Sequence, residues 1–179
     1  MPLLAGTCSR PGTAGIFADI AGTWQPAGPA IPPALARQPV TVLRLTQTAN
    51  QVVALLAAGS GHATRLLAAW SASNGRHWTL SPALTLGGAT VASASFGPAG
   101  TVAVMTGGHA AVTTSAAGQW HLLPALPPGT ATLAPGPGGQ TDALAVHHAI
   151  LTIWQLPPGG AAWKNTQTIS VPIQYGSSS

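Results

Sequence analysis

Histidines recur in this sequence in short segments that end in alanine. The segments are Gly61-His62-Ala63, Gly108-His109-Ala110 and His147-His148-Ala149. Imidazole binds transition metals and changes its charge near neutral pH, so a ring of such side chains could hold a metal ion or respond to pH. The alternative, which we favour, is that a turn histidine was copied together with a repeat. His62, His109 and His148 are therefore candidate metal ligands only, and we expect no cofactor.

The carboxylates are too few for most hydrolytic chemistry. Asp19 and Asp142 are the only acidic residues, and the sequence contains no glutamate. Glycoside hydrolysis normally needs two carboxyl groups across the scissile bond, and these two lie far apart in the chain. The sequence also has no Gly-x-Ser-x-Gly segment, no Walker loop and no His-Glu-x-x-His segment. We therefore predict that the protein has no catalytic residues and is not an enzyme.

Tryptophans mark a regular internal period. Trp78, Trp120 and Trp163 are separated by 42 and 43 residues, and a turn glycine precedes each of them. These glycines are Gly75, Gly118 and Gly160. Trp24 lies 54 residues before Trp78, a longer step that the proline-rich segment 26–39 accounts for. Self-similarity at a period of about 40–45 residues is typical of repeat architectures whose units must stack to bury a common core.

Each period contains four short segments rich in Val, Leu, Thr or Trp and bounded by Gly, Pro or Asn, as hairpin strands are. The predicted strands are 40–46, 51–57, 63–71 and 77–80, then 90–96, 101–105, 110–115 and 119–123, then 130–134, 143–147, 149–155 and 162–168. Four strands per period are typical of a β-propeller blade. We therefore predict an all-β fold, a single propeller-like domain over residues 1–179. Its units are 12–39 (partial), 40–88, 89–129 and 130–175.

The sequence allows two alternatives for the number of blades and the closure of the ring. The first unit contains only two predicted strands, 15–19 and 23–25. The tail 169–175 could supply a missing strand and close a ring of about four blades of four antiparallel strands. An open arc of a larger propeller is the alternative.

The turn before Trp78 resembles a known motif. It reads Ser71-Ala72-Ser73-Asn74-Gly75-Arg76-His77-Trp78, which is similar to the Asp-box (BNR) repeat of sialidase-like propellers, Ser-x-Asp-x-Gly-x-x-Trp. Ser73 stands where the motif has its aspartate. The first repeat has Asp19 at that position, but its glycine, Gly22, is shifted by one residue. The resemblance implies a hairpin between the third and fourth strands of a blade, with the Trp packed between blades.

The same resemblance allows a comparison of this chain with the catalytic residues of sialidases. Sialidases use an arginine cluster, a Tyr/Glu nucleophile pair and an acidic general acid, and this chain has one tyrosine, Tyr175, and no glutamate. We therefore expect a non-catalytic binding module that contacts a protein or a glycan through one loop face. The alternatives are a fragment of a larger sialidase-like glycoside hydrolase whose catalytic residues lie outside this chain, and a purely structural repeat.

The distribution of charge in the sequence excludes nucleic acids as a partner. The sequence has six basic and two acidic residues among 179, and the basic residues are scattered singly. Nucleic-acid binding needs several phosphates neutralised together, so we exclude that partner.

No apolar run reaches the ~18–20 residues that span a bilayer. Leu4-Ala5-Gly6-Thr7-Cys8 faintly resembles a lipoprotein lipobox, although a stray loop cysteine is the favoured interpretation. We expect a bacterial, extracytoplasmic protein.

Overall fold

The computed structural model describes residues 1–6, 12–48, 51–115 and 118–171. In these residues the chain forms four antiparallel β-sheets, one after another along the sequence. The first sheet contains β1 (Leu3–Ala5), β2 (Ile16–Ile20) and β3 (Thr23–Pro26). The second contains β4 (Val40–Gln47), β5 (Val52–Ala58), β6 (Arg65–Ser71) and β7 (Thr79–Leu80), and β8 (Leu84–Thr85) also pairs with β6.

The third and fourth sheets repeat this order. The third contains β9 (Val91–Phe96), β10 (Val102–Thr106), β11 (Ala110–Thr113) and β12 (His121–Leu122). The fourth contains β13 (Thr130–Pro135), β14 (Thr141–His147), β15 (Ile150–Leu156) and β16 (Lys164–Ser170). Apart from β8, the strands of every sheet lie in chain order, so each sheet is a meander. Successive four-stranded meanders are the blades of a β-propeller, and the predicted all-β propeller fold is confirmed.

The structure differs from the prediction at both ends of the chain. The first sheet gains an inner strand from Leu3–Ala5, which pairs with β2 and which the sequence analysis missed. Ile169 and Ser170 do not supply that strand, because they continue β16 and pair with Leu151 and Ile150. The remainder of the predicted tail strand, 172–175, lies outside the described residues. The second sheet has an additional short strand, β8, where a loop was expected.

Three hydrophobic clusters hold the four sheets together, and each cluster joins two consecutive sheets. Ile16 of the first sheet packs with Leu56 and Leu67 of the second. Leu55 and Leu66 face the other way and pack with Val102 and Val104 of the third sheet. The last cluster joins the third and fourth sheets; its buried members are Ala103, Met105, Ala110, Leu133 and Ala143. Because side chains alternate between the two faces of a strand, a sheet between two others must be apolar on both faces.

Tryptophans reinforce the same contacts with hydrogen bonds from one sheet to the sheet before it. The indole Nε1–H of Trp78 donates to the carbonyl of Ala27 at 2.7 Å, and that of Trp120 donates to the carbonyl of Pro82 at 3.0 Å. Trp163 donates to the carbonyl of Pro124 at 3.5 Å. Each of these tryptophans precedes the outer strand of its sheet, and each acceptor follows the outer strand of the preceding sheet.

Trp70 also donates an indole hydrogen bond to a neighbouring sheet, but to the sheet that follows its own in the chain and not to the one before it. It is buried near the end of β6, and its Nε1–H donates to the carbonyl of Gly100 in the third sheet at 2.6 Å. Gly100 has a φ of 70°, and an added Cβ would lie 2.9 Å from the indole ring. The close approach of backbone and indole therefore requires glycine at this position.

The turn that presents Trp78 is held by the serines on either side of Ala72. Ser71 Oγ accepts a hydrogen bond from the N–H of Gly75 at 2.9 Å, and Ser73 Oγ accepts one from the N–H of His77 at 2.9 Å. Gly75 itself has a φ of 85°, a conformation that costs glycine little. These bonds fix the direction in which Trp78 enters the space between the first two sheets.

Several residues named in the sequence analysis lie outside the described residues. They are Thr7, Cys8 and Tyr175. The interpretation of Cys8 as a loop cysteine, with lipidation as the alternative, stays a prediction, and so does the extracytoplasmic location. In the part of the chain that is described, no helix has the length and apolar character needed to cross a membrane.

Replacement of Trp120 by Phe tests the indole hydrogen bonds. Trp120→Phe removes the donor to Pro82 and to Ser81 Oγ, which lies at 3.1 Å. We expect the free energy of unfolding to fall by about 1–3 kcal/mol, since a hydrogen bond and part of a packed ring are lost together.

Trp24→Phe is the matched control, because no indole hydrogen bond of Trp24 is found among the described residues. Its cost in the monomeric chain should stay within about 0.5 kcal/mol, as for most surface changes. Urea denaturation at low protein concentration measures both variants. Equal losses from the two substitutions would contradict the role assigned to the indole N–H.

Candidate functional site: the rim around Leu122

The three candidate histidines lie in equivalent places in successive sheets. His62 is in the short 3₁₀ turn Gly61–Ala63 between β5 and β6, His109 lies between β10 and β11, and His148 lies between β14 and β15. All three side chains are exposed. We call the end of the sheets that carries these turns the histidine end.

The structure does not bring these histidines together into a metal site. Within residues 1–6, 12–48, 51–115 and 118–171, no group of three or more His, Cys, Asp or Glu side chains is placed to hold a metal ion. The Nδ1 atom of His62 instead lies 3.4 Å from the carbonyl oxygen of Gly87. The ring of His148 packs edge-on against that of His147, with the ring centroids 4.3 Å apart. The contacts of His62 and His148 are therefore with neighbouring loop residues and not with each other.

The two carboxylates also have local partners. Asp19 Oδ1 accepts a hydrogen bond from the N–H of Gly22 at 2.8 Å, within the hairpin between β2 and β3. Asp142 Oδ1 accepts one from Nε2 of Gln155 on the neighbouring strand at 3.1 Å. One carboxylate belongs to the first sheet and the other to the fourth, and each stabilises the strand pair on which it lies.

The connection from the second to the third sheet crosses the histidine end. After β8, the N–H of Leu86 donates to the carbonyl of Thr64 at 3.4 Å. Gly87 and Gly88 follow with φ values of 60° and 93°, in the left-handed region. A Cβ on Gly88 would collide with the imidazole of His62, so the glycine turn and the histidine pack directly against each other.

Two apolar pockets lie on either side of this connection and share Leu86 and Ala89. One pocket, which we call the His109 pocket, has a volume of about 260 Å³. It is lined by Leu84, Thr85, Leu86, Ala89, Val104, Thr106, His109, Ala110, Ala111 and Leu122. The other, also of about 260 Å³, is lined on its far side by Leu43, Ala57, Gly61 and Leu66. No residue that carries a formal charge at neutral pH lines either pocket, so both favour apolar groups.

Leu122 is the most exposed large apolar side chain among the described residues. It is 74% exposed and lies on β12, which pairs only with β11 and forms the outer edge of the third sheet. It lines the His109 pocket on one side and a pocket of about 480 Å³ on the other. That second pocket lies between the third and fourth sheets and includes Leu123, Pro157 and Pro158. We call Leu122 with these two adjoining pockets the Leu122 surface.

The sequence analysis placed Leu122 in a strand without recognising its exposure. The signal was present in the pair Leu122-Leu123, since adjacent strand residues point to opposite faces. Leu123 packs in the cluster between the third and fourth sheets, so Leu122 points away from it. Which of the two leucines is exposed depends on the position of the fourth sheet, and local sequence does not encode that position.

Comparisons with known proteins place the chain in no family. No protein-family model matches it, and no curated protein matches it either. Among solved structures, the chain is similar to "YCF48 bound to D1 peptide", with 10% sequence identity and a TM-score of 0.43. The similarity covers 95% of this chain and 72% of that one. A likeness at this level says nothing about the ligand or the activity of this chain.

Proposed function

We propose that this chain is a non-catalytic propeller of diverged Asp-box repeats, and that it binds an extended protein segment at the Leu122 surface. The observation that carries the proposal is a fully formed apolar site at a sheet edge: Leu122, 74% exposed, between two pockets. Single exposed leucines are common on protein surfaces. An exposed leucine beside an empty apolar pocket on each side is a feature of a binding surface.

The position of Leu122 on an outer strand favours an extended segment as the ligand. The outer edge of β12 pairs with no other strand in the described part of the chain. Its free backbone groups can hydrogen-bond to a segment that adds to the sheet, while the side chains of that segment fill the adjoining pockets. The backbone bonds would supply affinity and the pockets would supply the preference for apolar side chains.

The lining of the His109 pocket favours a protein ligand over a glycan. Sugar hydroxyls must be hydrogen-bonded when they leave water, because an unpaired buried polar group is costly. The side chains of this pocket that can form hydrogen bonds are Thr85, Thr106 and His109, and the rest are apolar. A leucine, valine or phenylalanine side chain has no such requirement.

The absence of a catalytic role is proposed from the carboxylates. Asp19 and Asp142 belong to different sheets, and each is hydrogen-bonded to a neighbour on its own hairpin. We expect no release of fluorophore from 4-methylumbelliferyl glycosides, sialoside included, above the rate in buffer. Turnover that persists through purification and disappears in Asp19→Asn or Asp142→Asn would contradict this part of the proposal.

Peptide selection tests the binding surface. A phage library of random peptides is selected on the immobilised protein, and the enriched peptides are measured by fluorescence anisotropy. We expect them to contain apolar side chains and to bind Leu122→Asp at least tenfold more weakly, a loss of about 1.4 kcal/mol. Leu122→Asp should fold normally, because the side chain is mostly in solvent and surface substitutions usually change stability by no more than about 0.5 kcal/mol.

Ile150→Asp is the matched control for this experiment. Ile150 is also an exposed apolar strand residue, but it belongs to the fourth sheet and lines neither pocket of the Leu122 surface. The enriched peptides should bind Ile150→Asp as tightly as the wild type. Peptides that bind Leu122→Asp and the wild type equally well would exclude the Leu122 surface as the site.

A further inference from the structure

The two middle sheets and the two terminal sheets differ in how many of their faces are covered. In the second and third sheets, β5 and β10 are buried at nearly every residue, so neighbours cover both faces. In the first and fourth sheets, β2 and the first part of β14 alternate between buried and less buried residues. Among the described residues, each terminal sheet is therefore covered on one face only.

The uncovered face of the fourth sheet is largely apolar, with the hydrogen-bonded pair Asp142 and Gln155 at one end. Val146 on β14 lies opposite Leu151 on β15, which lies opposite Ile169 on β16. Leu144 and Ile153 form the next cross-strand pair on the same face. A sheet face that remains in water normally carries polar side chains. This face instead resembles the faces that the middle sheets bury.

The uncovered face of the first sheet is largely apolar as well, although it includes Asp19. Leu4, 52% exposed, lies opposite Phe17, and the next pair on this face is Asp19 and Trp24. Trp24 is 49% exposed. It is the first of the spaced tryptophans, and in the part of the chain that the structure describes no sheet precedes its own to receive the indole N–H.

In the second and third sheets, one backbone hydrogen bond immediately precedes the carbonyl that accepts an indole N–H. The fourth sheet has the same backbone hydrogen bond after its outer strand. In the second and third sheets, Ser81 N–H donates to Ala68 and Leu123 N–H donates to Ala110, and the prolines that follow accept the indole bonds. In the fourth sheet, Val171 N–H donates to Ala149 at 2.7 Å in the same way. The next residue in the sequence is again a proline, Pro172, which lies outside the described residues.

We propose that two copies of this chain associate head to tail, with the fourth sheet of each copy packed against the first sheet of the other. The two uncovered faces are the two halves of the contact that is made three times within the chain, and both occur on every copy. Two such contacts related by a twofold axis close a ring of eight sheets, within the usual range of four to eight propeller blades. Val146, Leu151 and Ile169 of one copy then cover Leu4, Phe17 and Trp24 of the other. Neither Leu122 nor its pockets take part, so this pairing is independent of the proposed function.

Light scattering after size-exclusion chromatography tests the pairing. We expect wild-type protein to have twice the 17.7 kDa mass of one chain. Val146→Glu on the fourth sheet and Leu4→Glu on the first sheet should each give a mass of one chain, because every contact then contains an added carboxylate among its apolar side chains. Both positions are exposed in the single chain, so circular dichroism should show an unchanged fold. Leu122→Glu, on the other exposed surface, is the control that should stay dimeric.

Mixing the two monomeric variants tests the head-to-tail arrangement itself. In a pair made of one Val146→Glu chain and one Leu4→Glu chain, one contact contains both substitutions and the other contains neither. An equimolar mixture should therefore regain the mass of two chains. A mixture that stays monomeric would overturn the head-to-tail arrangement. A wild type that is monomeric at all concentrations would overturn the association, and would mean that these faces meet within one chain or receive sheets from another protein.

Discussion

The structure depends on one constraint. Both faces of a middle sheet are apolar, and each face must be covered by a neighbouring sheet. A single blade of three to five strands cannot bury both of its faces, so each sheet is stable only when packed against the next. The three clusters between consecutive sheets meet this requirement with small and branched side chains. The indole hydrogen bonds of Trp78, Trp120 and Trp163 then fix the distance and rotation between neighbours at the outer edge of each contact.

The unusual composition follows from the same constraint. A strand such as β5 contacts another sheet on each side, so every position along it is apolar. Charged residues are few, six basic and two acidic in a chain of 179, because a face buried against another sheet does not tolerate an unpaired charge. The two aspartates illustrate the point, since each is retained where a hairpin or a strand pair supplies a hydrogen-bond donor.

Much of the fold was predictable because its signals are local. Turn glycines, alternating apolar residues and a tryptophan at a fixed place in each period define strands and hairpins without knowledge of the rest of the chain. β1 was missed because Leu3–Ala5 is short and carries no alternation, and it is a strand only because β2 lies beside it. β8 was missed for the same reason, since two residues after a proline form a strand only against β6.

Features that depend on distant parts of the chain were not predictable. The contact of Trp70 with Gly100 joins an indole near the end of β6 to a turn of the next sheet, and nothing near Trp70 in the sequence indicates it. The exposure of Leu122 depends on where the fourth sheet lies. The separation of the histidines depends on the spacing of whole sheets, although their places in the turns follow from the repeat.

Hydrogen exchange of the six indole N–H groups, followed by NMR in the monomeric chain, tests the central claim most directly. If indoles join the sheets as described, the N–H groups of Trp70, Trp78, Trp120 and Trp163 exchange slowly, because each is hydrogen-bonded across a sheet contact. The N–H of Trp24 exchanges at nearly the rate of free indole. Equally fast exchange at Trp24, Trp78 and Trp120 would contradict this account of how the sheets are held together.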